Sequence, residues 1–319
     1  MSSTATGIPL ASEVNKHVLA APFDSDDADI VIQSSDKVKF PVHRFLLSRA
    51  STVFGAMLSL PQSDTPSPTA TQGPPVVELP EDRQTLDIVL RLCYPIEVRL
   101  PDGFIEHAQL VLEAARKYAL DSVMERLDFQ MKEERIVSVQ PLRVYALACS
   151  YGLEDLARRA AKETLKEDPL DVPYSSTLRC MTGGAYHRLL QYHRECGRVA
   201  AAAVNEENVT AWAGLPNFSS SVLFLRTKTC HVPIWVNTPL GHIIRSVLRQ
   251  YLWDLRDAVA VTPDANIALR RSLLQGVMRS VSSCAHCAGD MYSDITKFGD
   301  MLKSNMEEKI SQVSLVFEQ

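Results

Sequence analysis

The chain has 319 residues, 46% hydrophobic and 22% charged, which excludes a disordered or fibrous protein and allows about two domains with a sizeable core. A formal charge of −5 and a pI near 5.9 exclude a global basic field of the kind that draws proteins to nucleic acid or anionic membranes. Seven irregularly spaced cysteines imply reduced thiols in the cytosol or nucleus. The opening "MSSTATGIPLASEVNKH" has no secretory pattern, and no apolar run approaches the ~18 residues of a membrane span, so the expectation is a soluble intracellular protein.

Residues 1–22 read as a loose polar tail. "ADIVIQSSDKVKFPVH" predicts a hairpin: Ile30 and Ile32 alternate with Val31, "SSDK" turns the chain, and Val38, Phe40 and Val42 alternate again. Arg44 to Ser59 then switches to helical spacing, with Phe45, Leu46, Leu47, Val53, Phe54, Met57 and Leu58 apolar and Ser51-Thr52 as a cap between two short helices. Five prolines in "PQSDTPSPTATQGPP" (61–75) exclude regular structure there. "VVEL" is a short strand, and Asp82 or Thr85 opens a helix that must stop before Pro95.

From Ala108 onward the reading is all helical. Ala108, Val111, Leu112, Ala115 and Tyr118 fall at spacings of three and four, as do Val123, Met124, Leu127 and Met131 beyond a break at Asp121. A second helix pair carries Leu142, Tyr145, Ala146 and Cys149, then Leu156, Ala157, Ala160 and Thr164. "KYALDSVMERL" and "SYGLEDLARRA" align with tyrosines at 118 and 151, an offset of 33 residues; two copies predict stacked helical hairpins more readily than a solenoid. Thr-Pro pairs at 238–239 and 262–263 are candidate helix starts, and Met291 to Val313 predicts one long amphipathic helix.

No nucleophile elbow, P-loop or dinucleotide fingerprint is present, and the Gly183-Gly184 pair alone is a turn more often than a phosphate cradle. The best constellation for chemistry is "CAHC", Cys284 and Cys287 flanking His286, together with Cys230-His231. Cys-x-x-Cys offers two soft ligands from one turn, and a structural zinc ion takes a tetrahedron of such N and S donors. The competing reading is reduced cysteines packed in helices. Thr65 and Ser67 each precede a proline, the minimal pattern for proline-directed phosphorylation; the alternative is a plain spacer.

"FPVHRFLLSRASTVFGAML" raises a sharper question, because His43 and Arg44 introduce a helix straight after a strand. The stretch resembles the BTB/POZ domain. Phe40, Val42, His43, Arg44, Leu47, Ser51 and Phe54 match its F-x-V-H-[KR]-x-x-L-x-x-x-S-x-x-F pattern. "LRLCYPIEV" is similar to L-x-F-x-Y-T-G-x-[IV], with Pro95 and Ile96 at the Thr-Gly positions, and "AARKYAL" is similar to A-A-x-K-Y-x-[LM]. The resemblance covers roughly residues 23–132. The helices beyond it resemble the BACK-type extension, and the whole is most similar to fungal BTB proteins.

The resemblance implies an α+β fold: a BTB/POZ domain at 23–132, BACK-like helical hairpins at 133–200 and a C-terminal helical region at 201–319. It makes His43 a buried corner residue whose imidazole satisfies backbone groups. The catalytic alternative lacks an accompanying nucleophile or carboxylate. Asp29 and Arg44 match two charged positions that line a pocket in BTB dimers; the competing reading is a surface ion pair worth little. The implied function is a non-enzymatic protein-interaction adaptor with protein partners, including a second copy of itself, and without nucleic acid or membrane. A cullin-type ubiquitin ligase adaptor is one alternative, weakened because Leu60-Pro61-Gln62 stands where a hydrophobic-x-Glu motif is expected. A transcriptional co-regulator is another, without DNA-reading fingers of its own.

Overall fold

The computed structural model describes residues 21–60, 73–205, 208–209, 235–237, 243–282 and 291–317. The chain divides into two compact units, 1–130 and 131–319.

The first unit is built on a three-stranded sheet. The hairpin pairs β1 (Ile30–Gln33) with β2 (Lys39–Val42) antiparallel, Ile30 opposite Val42 and Ile32 opposite Phe40. β3 (Val76–Glu78) joins the other edge of β1 in parallel, Val31 opposite Val76, which gives the order β2-β1-β3. As the central strand, β1 is buried at all four positions, so Val31 is covered along with Ile30 and Ile32 despite the alternation in the sequence. Pro41 is tolerated because β2 lies at the edge, where a missing N–H leaves no ladder bond broken.

Two short helices follow, α1 (Arg44–Ala50) and α2 (Thr52–Ser59). Ser51 makes the joint. Its Oγ accepts the Phe54 N–H at 2.9 Å and donates to the Tyr118 carbonyl, while the Phe54 and Tyr118 rings stack with centroids 4.7 Å apart. Leu47, Phe54 and Leu58 enter the core. α3 (Arg83–Cys93) is capped by Asp82, which accepts the Thr85 N–H at 2.8 Å, and it ends before Pro95. α4 (Ala108–Lys117) and α5 (Asp121–Met131) complete the unit. Arg126 of α5 donates to the carbonyls of Leu92 in the last turn of α3, of Tyr94 at its cap and of Ile96 just beyond it.

The second unit is largely helical: α6 (Glu134–Val137), α7 (Pro141–Tyr151), α8 (Glu154–Glu163), α9 (Gly183–Ala203), α10 (Ser246–Val261), α11 (Arg271–Ser282) and α12 (Met291–Ser311). Gly183 and Gly184 are the first residues of α9, behind Thr182, whose Oγ accepts the Ala185 N–H at 3.1 Å. On α12, Ile295, Phe298, Leu302, Met306 and Ile310 are all buried, as their spacing predicts. Two features depart from the sequence reading. An antiparallel pair, β4 (Trp235–Asn237) with β5 (Ile243–Arg245), lies within the region read as all-α. The Thr262-Pro263 pair opens no α-helix: α10 ends at Val261, and Asp264 caps a 3-10 turn, Ala265–Leu269, by accepting the Asn266 N–H at 3.0 Å. A cap side chain one residue after the proline outcompetes the Thr-Pro pattern. Thr238-Pro239 lies outside the described residues.

Candidate functional site

At the corner between β2 and α1, Val42 is buried in the sheet and the backbone of His43 is extended (φ −103°, ψ 116°), which leaves the first N–H groups of α1 without intrahelical acceptors. The His43 side chain does not cap them. Asp29, on the approach to β1, does so from fifteen residues away: its Oδ1 accepts the Arg44 N–H at 2.7 Å. The Arg44 guanidinium turns elsewhere and donates to the Leu58 carbonyl at the end of α2. Asp29 and Arg44 are therefore joined through the backbone and form no side-chain ion pair. Asp29 is exposed, so Arg44→Ala would leave its bond in place and strand no buried carboxylate.

His43 is half-buried, and its ring is held by side chains, where the sequence reading put backbone groups. Tyr94, just past the end of α3, brings its hydroxyl 3.0 Å from the His43 N–H and 2.9 Å from Nδ1. The phenolic oxygen accepts the backbone proton and donates its own to Nδ1, which leaves a proton on Nε2 for Asp27 Oδ1 at 3.0 Å. A hydroxyl donated by Ser25, then the contact with His43, holds the Asp27 carboxyl below the ordinary carboxylate range. Phe23 packs edge-on against Phe40 and Tyr94 at 5.2 and 6.1 Å, with the Arg91 guanidinium 4.8 Å from its ring centre.

A carboxylate thus does accompany His43, contrary to the reading from sequence, and carboxylate, imidazole and hydroxyl stand in the order of a catalytic relay. The hydroxyl is unsuited to attack. Tyr94 is buried, burial raises its pKa, and its oxygen already accepts the His43 N–H. The arrangement locks the corner. Sequence reasoning missed Asp27 and Tyr94 because one lies in the acidic run "DSDDAD" and the other is 51 residues from His43. The thiols of the half-buried Cys93 and the buried Cys196 are equally quiet: desolvation pushes Cys93 up to about 12 and Cys196 to about 11. A cleft of about 790 Å³ between Asp36, Asp82, Arg83, Asp87, Arg91 and Arg99 spends much of its charge internally, with Arg91 on Asp87 at 3.0 Å and the Arg83 N–H on Asp36 at 2.9 Å.

Among what the corner presents outward, beside the exposed Arg49, Thr52 and Ser59, are three large apolar side chains. Phe45 on α1 is 71% exposed, Leu60 just past α2 is 65% exposed, and Val53 is 38% exposed. Two short helices cannot bury every apolar residue they carry. Leu47, Phe54 and Leu58 take the core face, and Phe45 and Val53, which read from sequence as part of the same apolar set, remain outside.

Cys230, His231, Cys284, His286 and Cys287, the candidate zinc ligands, and Thr65 and Ser67, the candidate phosphorylation positions, lie outside the described residues. So do Pro61 and Gln62. Among the described residues no helix is long and apolar enough to cross a membrane.

Residues 19–135 match the family model of the BTB/POZ domain. A search of curated proteins returns no match to the chain.

Proposed function

We propose, on the premise that residues 19–135 are a BTB/POZ domain, a protein–protein interaction module, that this chain is a non-enzymatic adaptor which binds other proteins through the α1–α2 face of that domain. The observation that carries the reading is the outward display of Phe45, Val53 and Leu60 on a pair of helices anchored at both ends, by Asp29 on the Arg44 N–H and by Arg44 on the Leu58 carbonyl. Large aromatic and aliphatic side chains held on a rigid element give up little conformational entropy when they are covered, which is what an interface centre needs. Asp29, His43 and Arg44 support that face from beneath.

Tagged wild-type protein and the Phe45→Glu/Leu60→Glu double variant, each purified from the native cell, test the reading. Partners retained by the wild type and lost by the variant support it. An identical partner set on both would overturn the α1–α2 face as the docking surface. Both positions are exposed, so the variant should melt with the wild type. Sedimentation of the same pair at micromolar concentration shows whether a second copy of this chain is among the partners: a dimer that the double variant abolishes is the expected result, and a monomeric wild type removes self-pairing.

A further inference from the structure

Where α12 ends, the Gln312 and Val313 N–H groups close the last turn onto Lys309 and Ile310, and five residues with a different rhythm follow. Val313 is partly buried and packs on the core of the second unit, Ser314 is exposed, Leu315 is 6% exposed, Val316 is 66% exposed and Phe317 is partly buried. Alternation with a period of two is the mark of an extended chain lying along a surface. Yet Ser314–Phe317 make no backbone–backbone hydrogen bond among the described residues, so side chains alone hold the segment down.

The far anchor is the ring of Phe317. The Arg158 guanidinium of α8 lies 5.0 Å from its centre and that of Arg188 on α9 lies 5.8 Å away. The two cations are not equivalent. Arg158 has Glu154 at 2.9 Å and Asp155 at 3.5 Å. Arg188 has no carboxylate partner among the described residues, and its buried Nε has no hydrogen-bond partner. Beside the Tyr145 hydroxyl, which also meets this guanidinium, an aromatic face is the electron-rich group supplied to it, and a desolvated guanidinium gains most from such a contact.

We propose that Val313–Phe317 is a displaceable strap, and that the surface beneath it, which runs from the core of the second unit to Arg158 of α8 and Arg188 of α9, is a docking groove for an extended partner segment with aliphatic residues at two alternate positions and an aromatic ring at the next. The strap defines that chemistry by occupying the groove itself. Held by two apolar anchors and a ring, without a ladder of main-chain bonds, it is an intramolecular competitor that a partner segment of the same pattern can replace. This surface lies outside the BTB/POZ domain, so it stands or falls apart from the α1–α2 face.

A fluorescent peptide of residues 311–319 is the probe. The full chain carrying Phe317→Ala should bind it at least tenfold more tightly than the wild type does, because the groove is no longer filled in cis. Adding Arg188→Gln should abolish the gain. Equal binding by the wild type and Phe317→Ala, or a gain that survives Arg188→Gln, would overturn the proposal. A second measurement leaves Phe317 in place: Arg158→Gln, at an exposed position, should speed chymotryptic cleavage at Phe317 severalfold, and an unchanged rate would equally overturn it.

Discussion

Ala119 sits in the left-handed region at φ 49°, where Gly152 sits at φ 71°. Each follows a tyrosine at the end of a helix, and each is followed by a leucine whose N–H reaches back five residues at 2.9 Å, Leu120 to Ala115 and Leu153 to Ala148. The similarity between "KYALDSVMERL" and "SYGLEDLARRA" is one helix-ending elbow used twice. Glycine takes that conformation freely, whereas a Cβ costs about 1–2 kcal/mol, partly offset by the greater entropy glycine loses on folding. Ala119→Gly should therefore stabilise the first unit by a few tenths to about 1 kcal/mol. Gly152→Ala should destabilise the second by a few tenths to about 1 kcal/mol, since nothing crowds a Cβ there and the balance of backbone strain against that entropy is the whole effect. Denaturant melts of both variants check the pair. The elbow's existence was legible in the repeated letters. Its geometry was not, because "YAL" gives no hint that its alanine is left-handed.

His193 carries a different prediction. It is buried in α9 with Nε2 3.3 Å from the Glu167 carbonyl, and burial lowers its pKa below the ordinary 6.5 against the opposing pull of that carbonyl. Its stabilising contribution is complete above the unfolded-state pKa. As pH falls below about 6.5 the unfolded chain binds a proton that the folded chain resists, and the contribution shrinks until the folded pKa is passed. The melting temperature should therefore drop between pH 7 and pH 5, more steeply in the wild type than in His193→Gln. Parallel slopes for the two proteins would show that His193 is not the titrating group.

Among the elements, α9 and α10 meet at Gly197, where an added Cβ would lie 2.5 Å from the Ala260 carbonyl oxygen. Backbone cannot yield as a flexible side-chain tip can, so the helices would have to part. Gly197→Ala should lower stability by about 1–3 kcal/mol from overpacking, less up to about 1 kcal/mol regained in helix propensity. A melting temperature unchanged or raised would mean that the helices slide apart without penalty. This close approach was invisible in the sequence, as were the partners of His43, because both depend on residues far along the chain. Local chemistry was the readable part. Asp82 before α3, Ser51 between α1 and α2, and the apolar spacing of α12 each announced themselves, since caps and periodicity act within a turn or two. Which apolar side chains of α1 and α2 would be left in solvent was not readable, because periodicity says that a face is apolar and not how much of it the core can accept.

For the molecule as a whole, the sharpest expectation concerns cullin scaffolds. Leu60 is followed by Pro61 and Gln62 where the adaptor motif requires a free backbone and a carboxylate. Loss of a charge-assisted contact costs roughly 1.5–3 kcal/mol, about ten- to a hundredfold in affinity. Titration against a cullin N-terminal domain should therefore give a dissociation constant no tighter than micromolar, with Gln62→Glu restoring part of the loss. Submicromolar binding by the wild type would move ubiquitin ligation to the front of the functional readings.

The order β2-β1-β3 has a further consequence, for how the domain fails. β2 reaches β1 across a short turn, whereas β3 must return from beyond residues 61–72 before the Val31 N–H can find the Pro75 carbonyl and the Leu79 N–H the Gln33 carbonyl. Contacts so far apart in sequence pay their loop-closure entropy late in folding. Until β3 arrives, or whenever it frays, the most apolar strand of the sheet has one bare edge, a template for any other extended chain. Three residues of β3 therefore act as a chaperone built into the fold, standing between β1 and aggregation.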